Sequence, residues 1–164
     1  DELLTEATDV IVARALAEVD RSLDARNALR SIGFGVYDAI HTHRWVGTQL
    51  TGTMLQTPSM RILESIGTAL DRMGVPEYEQ FDSATALMSY VLGLATQYAA
   101  AAKVLAPGTD RRQHLTLEAD RLRELDPAEF PFVRRIALLL PQHDDREQFM
   151  AGFELILAGI STRT

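Results

Sequence analysis

Few residues of this 164-residue chain have the types and spacing to do chemistry. It holds four histidines and no cysteine. His41 and His43 stand two apart, a spacing that on a helix turns the imidazoles away from each other, so they do not clamp one metal ion. They read better as a helix C-terminus, whose dipole favours partly exposed imidazoles. His143-Asp144-Asp145 has the composition of a metal cluster, but a polar loop ending in a helix N-cap explains it more simply. No metal and no cofactor is expected. The lack of cysteine removes zinc ribbons, iron-sulfur clusters, thiolate nucleophiles and disulfides, which is compatible with a reducing compartment, and a cytoplasmic location is expected. Gly-x-Ser-x-Gly elbows, phosphate-cradling glycine loops and His-Glu-x-x-His are all missing from the sequence, and no nucleophile, base and orienter stand out as a set. An enzyme is therefore the least favoured reading, and no catalytic residue is assigned.

Charge excludes a second class. Sixteen Lys and Arg stand against 23 Asp and Glu, giving a net charge of -7 and a pI near 5.0. Phosphate neutralisation demands the opposite balance, so this chain by itself is not expected to bind DNA. The one lysine is Lys103, and the arginines have acidic neighbours: Arg111-Arg112 follow Asp110, and Arg121 and Arg123 lie among Glu118, Asp120 and Glu124. No basic patch survives that mixing.

The elements that would position a site are helices. At 46% hydrophobic and 24% charged, the composition is that of one globular domain. Its length buries roughly 70% of the unfolded chain's surface, leaving room for a core or an enclosed ligand cavity. Apolar residues recur with helical period nearly throughout, and no sustained alternation marks a strand. Leu4, Ala7, Ile11, Ala15 and Val19 give a first helix ending near Asp20. Asp24 caps a second, with Leu29, Ile32, Val36 and Ile40 inward through Thr42. Gly33 and Gly35 interrupt this helix at a cost of about 1 kcal/mol each relative to Ala, for which close helix packing is the favoured reason. A short segment from Arg44 to Leu50 breaks at Gly52. Thr57-Pro58 opens a helix carrying Ile62, Leu63, Ile66, Leu70 and Met73, which Gly74 and Pro76 close. A polar stretch from Asp110 to Asp126 is expected to form a marginal, mobile helix. Phe130-Pro131 opens a short helix that Pro141 ends, and Asp145 with Gln148 resembles the capping box of a last helix.

Two of these helices are unusual. Between Asp82 and Lys103 no residue carries a formal charge, and between Phe149 and Ile160 only Glu154 does. The first is long enough to suggest a membrane span, but Ser83, Thr85, Ser89, Thr96 and Gln97 interrupt it and no basic flank orients it. Burial on two faces is the better account. Phe81, Ala84, Met88, Val91 and Ala95 form one side and Leu87, Tyr90, Leu94, Tyr98 and Ala101 another, and a partner subunit is the expected second surface. With Gly152 and Gly159 as close-approach positions, two such helices per chain make a four-helix interface on two-fold pairing. Trp45 reads as a packing anchor ahead of a pocket wall. Tyr90 and Tyr98 could each offer a hydroxyl to a ligand or to a partner helix. Met54, Met60, Met73 and Met88 suit a pliable pocket, though methionine is more often core filler.

The tail from Gln148 through Phe149, Gly152, Phe153, Ile156 and Gly159 to Ile160 resembles the terminal helix of the tetracycline-repressor (TetR) class of transcriptional regulators. Tyr90-Val91-Leu92-Gly93, Gly74 and the opening Asp1-Glu2-Leu3-Leu4 are similar to that class in order and spacing. Asp1 is not an initiator methionine, and a piece lacking the family's DNA-reading head is expected. The resemblance implies an all-α helical bundle spanning residues 1–164 that binds an effector and forms a homodimer, meeting operator DNA only through a helix-turn-helix domain outside this chain. It implies a ligand site at Leu50, Thr53, Leu63, Ile66, Phe81, Ala84 and Met88, with Ile32 and Val36 upstream; Trp45 joins the candidate ligand residues on its own reading as a pocket wall. It also implies a dimer interface at Tyr90, Leu94, Tyr98, Phe149, Gly152, Phe153, Ile156, Gly159 and Ile160. The position of the tetracycline repressors' magnesium-binding histidine falls on Leu50, which cannot ligate a metal, so the effector expected is a small hydrophobic or aromatic compound. The alternative is a helical dimerisation module with no effector.

Overall fold

The computed structural model describes residues 2–20, 22–51, 55–104 and 110–161, with backbone alone at 95, 98, 99, 101–104 and 161. Among the described residues the elements are α1 (Glu2–Ala17), α2 (Ala25–Thr42), α3 (Arg44–Leu50), α4 (Thr57–Arg72), α5 (Glu77–Val104), α6 (Arg111–Arg123), α7 (Pro131–Ile136), a 3-10 turn (Leu140–Gln142) and α8 (Asp145–Ser161), with no strand. The all-α expectation holds. Where one domain is expected, the chain divides into two compact units, Asp1–Ala101 with Phe149–Thr164, and Ala102–Gln148.

Local chemistry sets the helix ends. Asp24 caps α2, its carboxylate accepting the Asn27 N–H at 3.0 Å. Gly74, at φ +81°, closes α4 with a Schellman pair, its own N–H reaching Asp71 O and the Val75 N–H reaching Leu70 O, while Val75 and Leu70 are both buried. Three boundaries differ from the sequence reading. Gln56 rather than Thr57 is the N-cap of α4, and its side chain makes no capping bond. Asp144 rather than Asp145 caps α8, accepting the N–H groups of Arg146 and Glu147, because Asp145 is engaged by Arg111 at 2.6 Å and by His143 at 3.1 Å. Pro141 lies inside the 3-10 turn, since α7 already ends at Ile136.

In the first unit one apolar cluster joins Val12 of α1, Leu29, Ile32, Val36 and Ile40 of α2, Val46 and Leu50 of α3, Ile62, Ile66 and Leu70 of α4, Leu87, Met88 and Val91 of α5, and Phe149, Phe153 and Leu157 of α8. The two glycines of α2 do not interrupt it. A Cβ on Gly33 would meet the Phe153 ring at 2.8 Å, and one on Gly35 the Ala15 carbonyl at 3.2 Å, so each is the imprint of a helix packed against α2. In the second unit the polar stretch is the helix α6, capped by Asp110, whose carboxylate accepts the Arg112 N–H. Only Ala119 and Ala137 are buried there among the described hydrophobic residues, while Phe132, Leu138 and Leu139 are exposed.

Candidate functional site

Helices α2 to α5 bring most of the expected ligand-site residues together. Ile32 and Val36 from α2, Leu50 from α3, Ile66 from α4, and Ala84 and Met88 from α5 are buried in the one cluster, and Leu63 packs half-buried against it. Two expected residues stand elsewhere. Trp45 is 38% exposed, because α3 turns Val46, Gly47 and Leu50 inward. Phe81 is 72% exposed, lying before Ser83, where burial along α5 begins. Thr53 and Met54 lie outside the described residues. Of the other methionines, Met60 is exposed and borders two open grooves, of about 610 Å³ against Ala13 and Leu16 of α1 and about 570 Å³ reaching Gln80 of α5. His41 stacks on Tyr37 with ring centroids 5.9 Å apart, and no group of three or more His, Asp or Glu among the described residues could hold a metal.

Sequence reasoning missed a polar pair at the start of α4. Ser59 is 0% exposed, and its Oγ has no hydrogen-bond partner; Gln56 Oε1, buried three residues earlier, has none either. The signal was there, since Ser59 breaks an apolar stripe otherwise made of Ile62, Ile66, Ala69 and Leu70. Among the described residues Thr8 is also 0% exposed, and its hydroxyl is satisfied by donating to Leu4 O at 2.7 Å.

The expected interface residues divide by size. Phe149 and Phe153, with Ile160, lie inside the chain's own core, not on an outer face. The two phenylalanines join Phe34, Tyr37 and Tyr90 in an aromatic cluster with centroid separations of 4.6 to 6.5 Å. Tyr90, Leu94 and Ile156 are half-buried against that core. The Tyr90 hydroxyl donates to Phe149 O at 2.9 Å, and a Cβ on Gly152 would fall 2.1 Å from it, so Gly152 is small for Tyr90. The Tyr98 side chain lies outside the described residues. Gly159 is exposed, with nothing within 4 Å of an added Cβ, and Gly93 of α5 is the same. Along the middle of each helix the outward positions include Ala86, Ser89, Gly93 and Gln97 on α5 and Ala151, Leu155, Ala158 and Gly159 on α8, all uncharged, with Leu155 75% exposed, while Asp82 and the pair Arg146 and Glu147 are exposed towards the helix starts.

Glu154, the one charged residue between Phe149 and Ile160, accepts hydrogen bonds from Arg30 Nε and Nη2, the latter at 2.8 Å, and from Arg26 at 3.4 Å. The Arg30 hydrogen bonds hold its carboxyl below the usual range, and Arg30 is raised in return. This cluster fastens α8 to α2.

Helices α1 to α5 and α8 thus close on one apolar cluster, the architecture of an all-helical domain. Residues 22–164 match the profile of the family described as "Tetracyclin repressor-like, C-terminal domain", and the chain belongs to that family of transcription regulators. The transcriptional regulator SCO7222, a TetR from Streptomyces coelicolor, is 39% identical, with 98% of this chain and 76% of that chain covered and a TM-score of 0.86. Apo ActR from the same organism shares the fold at 18% identity, 97% and 74% coverage and a TM-score of 0.71. ActR in complex with (S)-DNPA does so at 17%, 98%, 76% and 0.69. No curated protein matches the chain. No helix among the described residues is long and apolar enough to cross a membrane.

Proposed function

We propose that this chain is the effector-binding and dimerisation domain of a TetR-like regulator, and that its effector is a small, largely neutral hydrophobic or aromatic compound held among Ile32, Val36, Leu50, Leu63, Ile66 and Met88. The observation that carries this reading is the meeting of those side chains, from four helices, in one apolar cluster. Leu50 at the position implied for a metal-binding histidine supports an effector that arrives without magnesium. Binding regulates only if the compound prefers the conformation released from DNA, since equal affinity for both conformations shifts nothing. The net charge of -7 supports placing DNA contact in a domain outside this chain.

Pairing uses the outward faces of α5 and α8, two helices from each copy about a two-fold axis. Small residues along both faces support close helix approach, and the exposed Leu155 supplies apolar area to bury. A thermal-shift screen of apolar compounds tests the sensor reading, because a ligand at a hundred times its Kd adds about 2.7 kcal/mol to the stability of the native state. A melt that no such compound moves would overturn it. Gly159→Leu tests the pairing, and sedimentation is expected to show the dimer split. An unchanged dimer would count against these faces.

A further inference from the structure

The apolar cluster of the first unit contains a polar demand that the protein itself leaves unmet. Ser59 lies in the first turn of α4, a 16-residue helix whose N-cap residue, Gln56, makes no side-chain capping bond. Pro58 follows the first helical residue and has no N–H to contribute. Ser59 is fully buried on the stripe that continues through Ile62 and Ile66, both members of the cluster that holds the proposed effector. Its Oγ has no partner, and neither does the buried Gln56 Oε1. Buried polar groups in folded proteins are nearly always paired, so each one left open needs a reason. Thr8 shows the ordinary alternative, a buried hydroxyl turned back onto the carbonyl four residues earlier. The corresponding carbonyl for Ser59 belongs to Leu55, which precedes α4.

We propose that Ser59 and Gln56 form the polar anchor of the effector site, and that the effector is an apolar compound carrying a hydroxyl group, such as a phenol or an alcohol. This rests on the sensor reading above. The chemistry of the two atoms selects the group. An amide oxygen only accepts, whereas a serine hydroxyl both donates and accepts. A ligand hydroxyl can satisfy either atom, donating to Gln56 Oε1 or accepting from Ser59 Oγ. A ketone or ether meets Ser59 alone, and a hydrocarbon meets neither. A carboxylate brings a charge into an apolar surround with no cation assigned to meet it. The pair thus sets specificity, and the apolar residues around it supply the bulk of the contact.

The test compares 1-naphthol with naphthalene, which differ in the hydroxyl alone, by calorimetric titration of the protein and of Ser59→Ala and Gln56→Leu. The wild type is expected to prefer 1-naphthol about tenfold, the ratio a single well-placed hydrogen bond gives. In Ser59→Ala that preference falls toward unity while naphthalene affinity is unchanged, and Gln56→Leu lowers it as well. A tenfold preference preserved in both variants overturns the anchor and leaves the sensor reading standing. Binding of neither compound to any of the three proteins overturns the sensor reading, and this inference with it. The stability of the ligand-free proteins supplies a second readout. An unmet hydroxyl means that Ser59→Ala leaves the urea midpoint unchanged or raised. A lowered midpoint says that Ser59 is already bonded within the protein and overturns the proposal whatever the titrations show.

Discussion

Replacing Gly152 by alanine adds one methyl group, and its cost follows from what that methyl would meet. An added Cβ lies 2.1 Å from Tyr90 Oη, 2.6 Å from Cζ and 2.8 Å from Cε2. Carbon contacts are comfortable near 3.5 to 4.0 Å, so the ring must retreat by roughly 1 Å or α8 must lift. The ring is not free to retreat. It stacks on Phe149 with centroids 5.7 Å apart, lies 6.5 Å from Phe153, and its hydroxyl is tied to Phe149 O at 2.9 Å. Overpacking of this kind costs about 1 to 3 kcal/mol, and losing the hydroxyl bond adds about 1 kcal/mol. A total of about 2 to 4 kcal/mol lowers the melting temperature of a protein this size by roughly 5 to 15 °C, read by calorimetry at fixed protein concentration. Tyr90→Phe removes the atom nearest the new methyl, so Gly152→Ala with Tyr90→Phe should lose less stability than the two single changes summed, by about 1 kcal/mol. Strict additivity, or a Gly152→Ala variant within about 0.5 kcal/mol of the parent, would refute the assignment of Gly152 to Tyr90 and return it to the pairing face.

Two further outcomes are expected. Gly67 of α4 has nothing within 4 Å of an added Cβ, so Gly67→Ala should raise the urea midpoint by the equivalent of about 0.5 to 1 kcal/mol, and a loss would mean that something packs there. Glu154, whose carboxyl the Arg30 hydrogen bonds depress, contributes stability that is whole above its unfolded value near 4.5 and is lost as the pH falls from there through its folded value. The gap between the parent and Glu154→Gln, about 1 kcal/mol at neutral pH for a half-exposed bidentate pair, should therefore close in acid, and a gap constant from pH 7 to pH 3 would rule the ion pair out as its source.

The helices themselves were legible because their signals are local. Asp24, Gly74 and the three-and-four spacing of apolar residues act within a turn or two of chain, and each does in the structure what its chemistry dictates. The misplacements at Gln56 and Asp144 are of one residue, at helix ends where two neighbours compete for the same cap; Asp145 lost because Arg111 and His143 engage it. The Glu154 cluster was not legible, since Arg26 and Arg30 lie more than a hundred positions away. Ser59 was legible as a break in a stripe, but the want of a partner is a statement about surroundings that only coordinates supply.

The charge-poor middles of α5 and α8 carry a different ambiguity. Lack of charge marks a helix face as removed from water without saying whether the chain's own core or another copy removes it. Side-chain size separates the two here. Phe149, Phe153 and Leu157 of α8 and Leu87, Met88 and Val91 of α5 fill the core of their own chain, where burying them carries no loss of translational freedom. Most residues left outside, Ala86, Ser89 and Gly93 on α5 and Ala151, Ala158 and Gly159 on α8, have little apolar area each but let a helix axis come near, with Leu155 the large exception. A face built that way gains by close backbone approach over many small contacts, so enlarging one residue costs it more than truncating one. On the proposed pairing Gly159→Leu is therefore the decisive substitution, while truncating Phe153 costs the chain's own core about 3 to 5 kcal/mol and so reports on folding rather than on pairing.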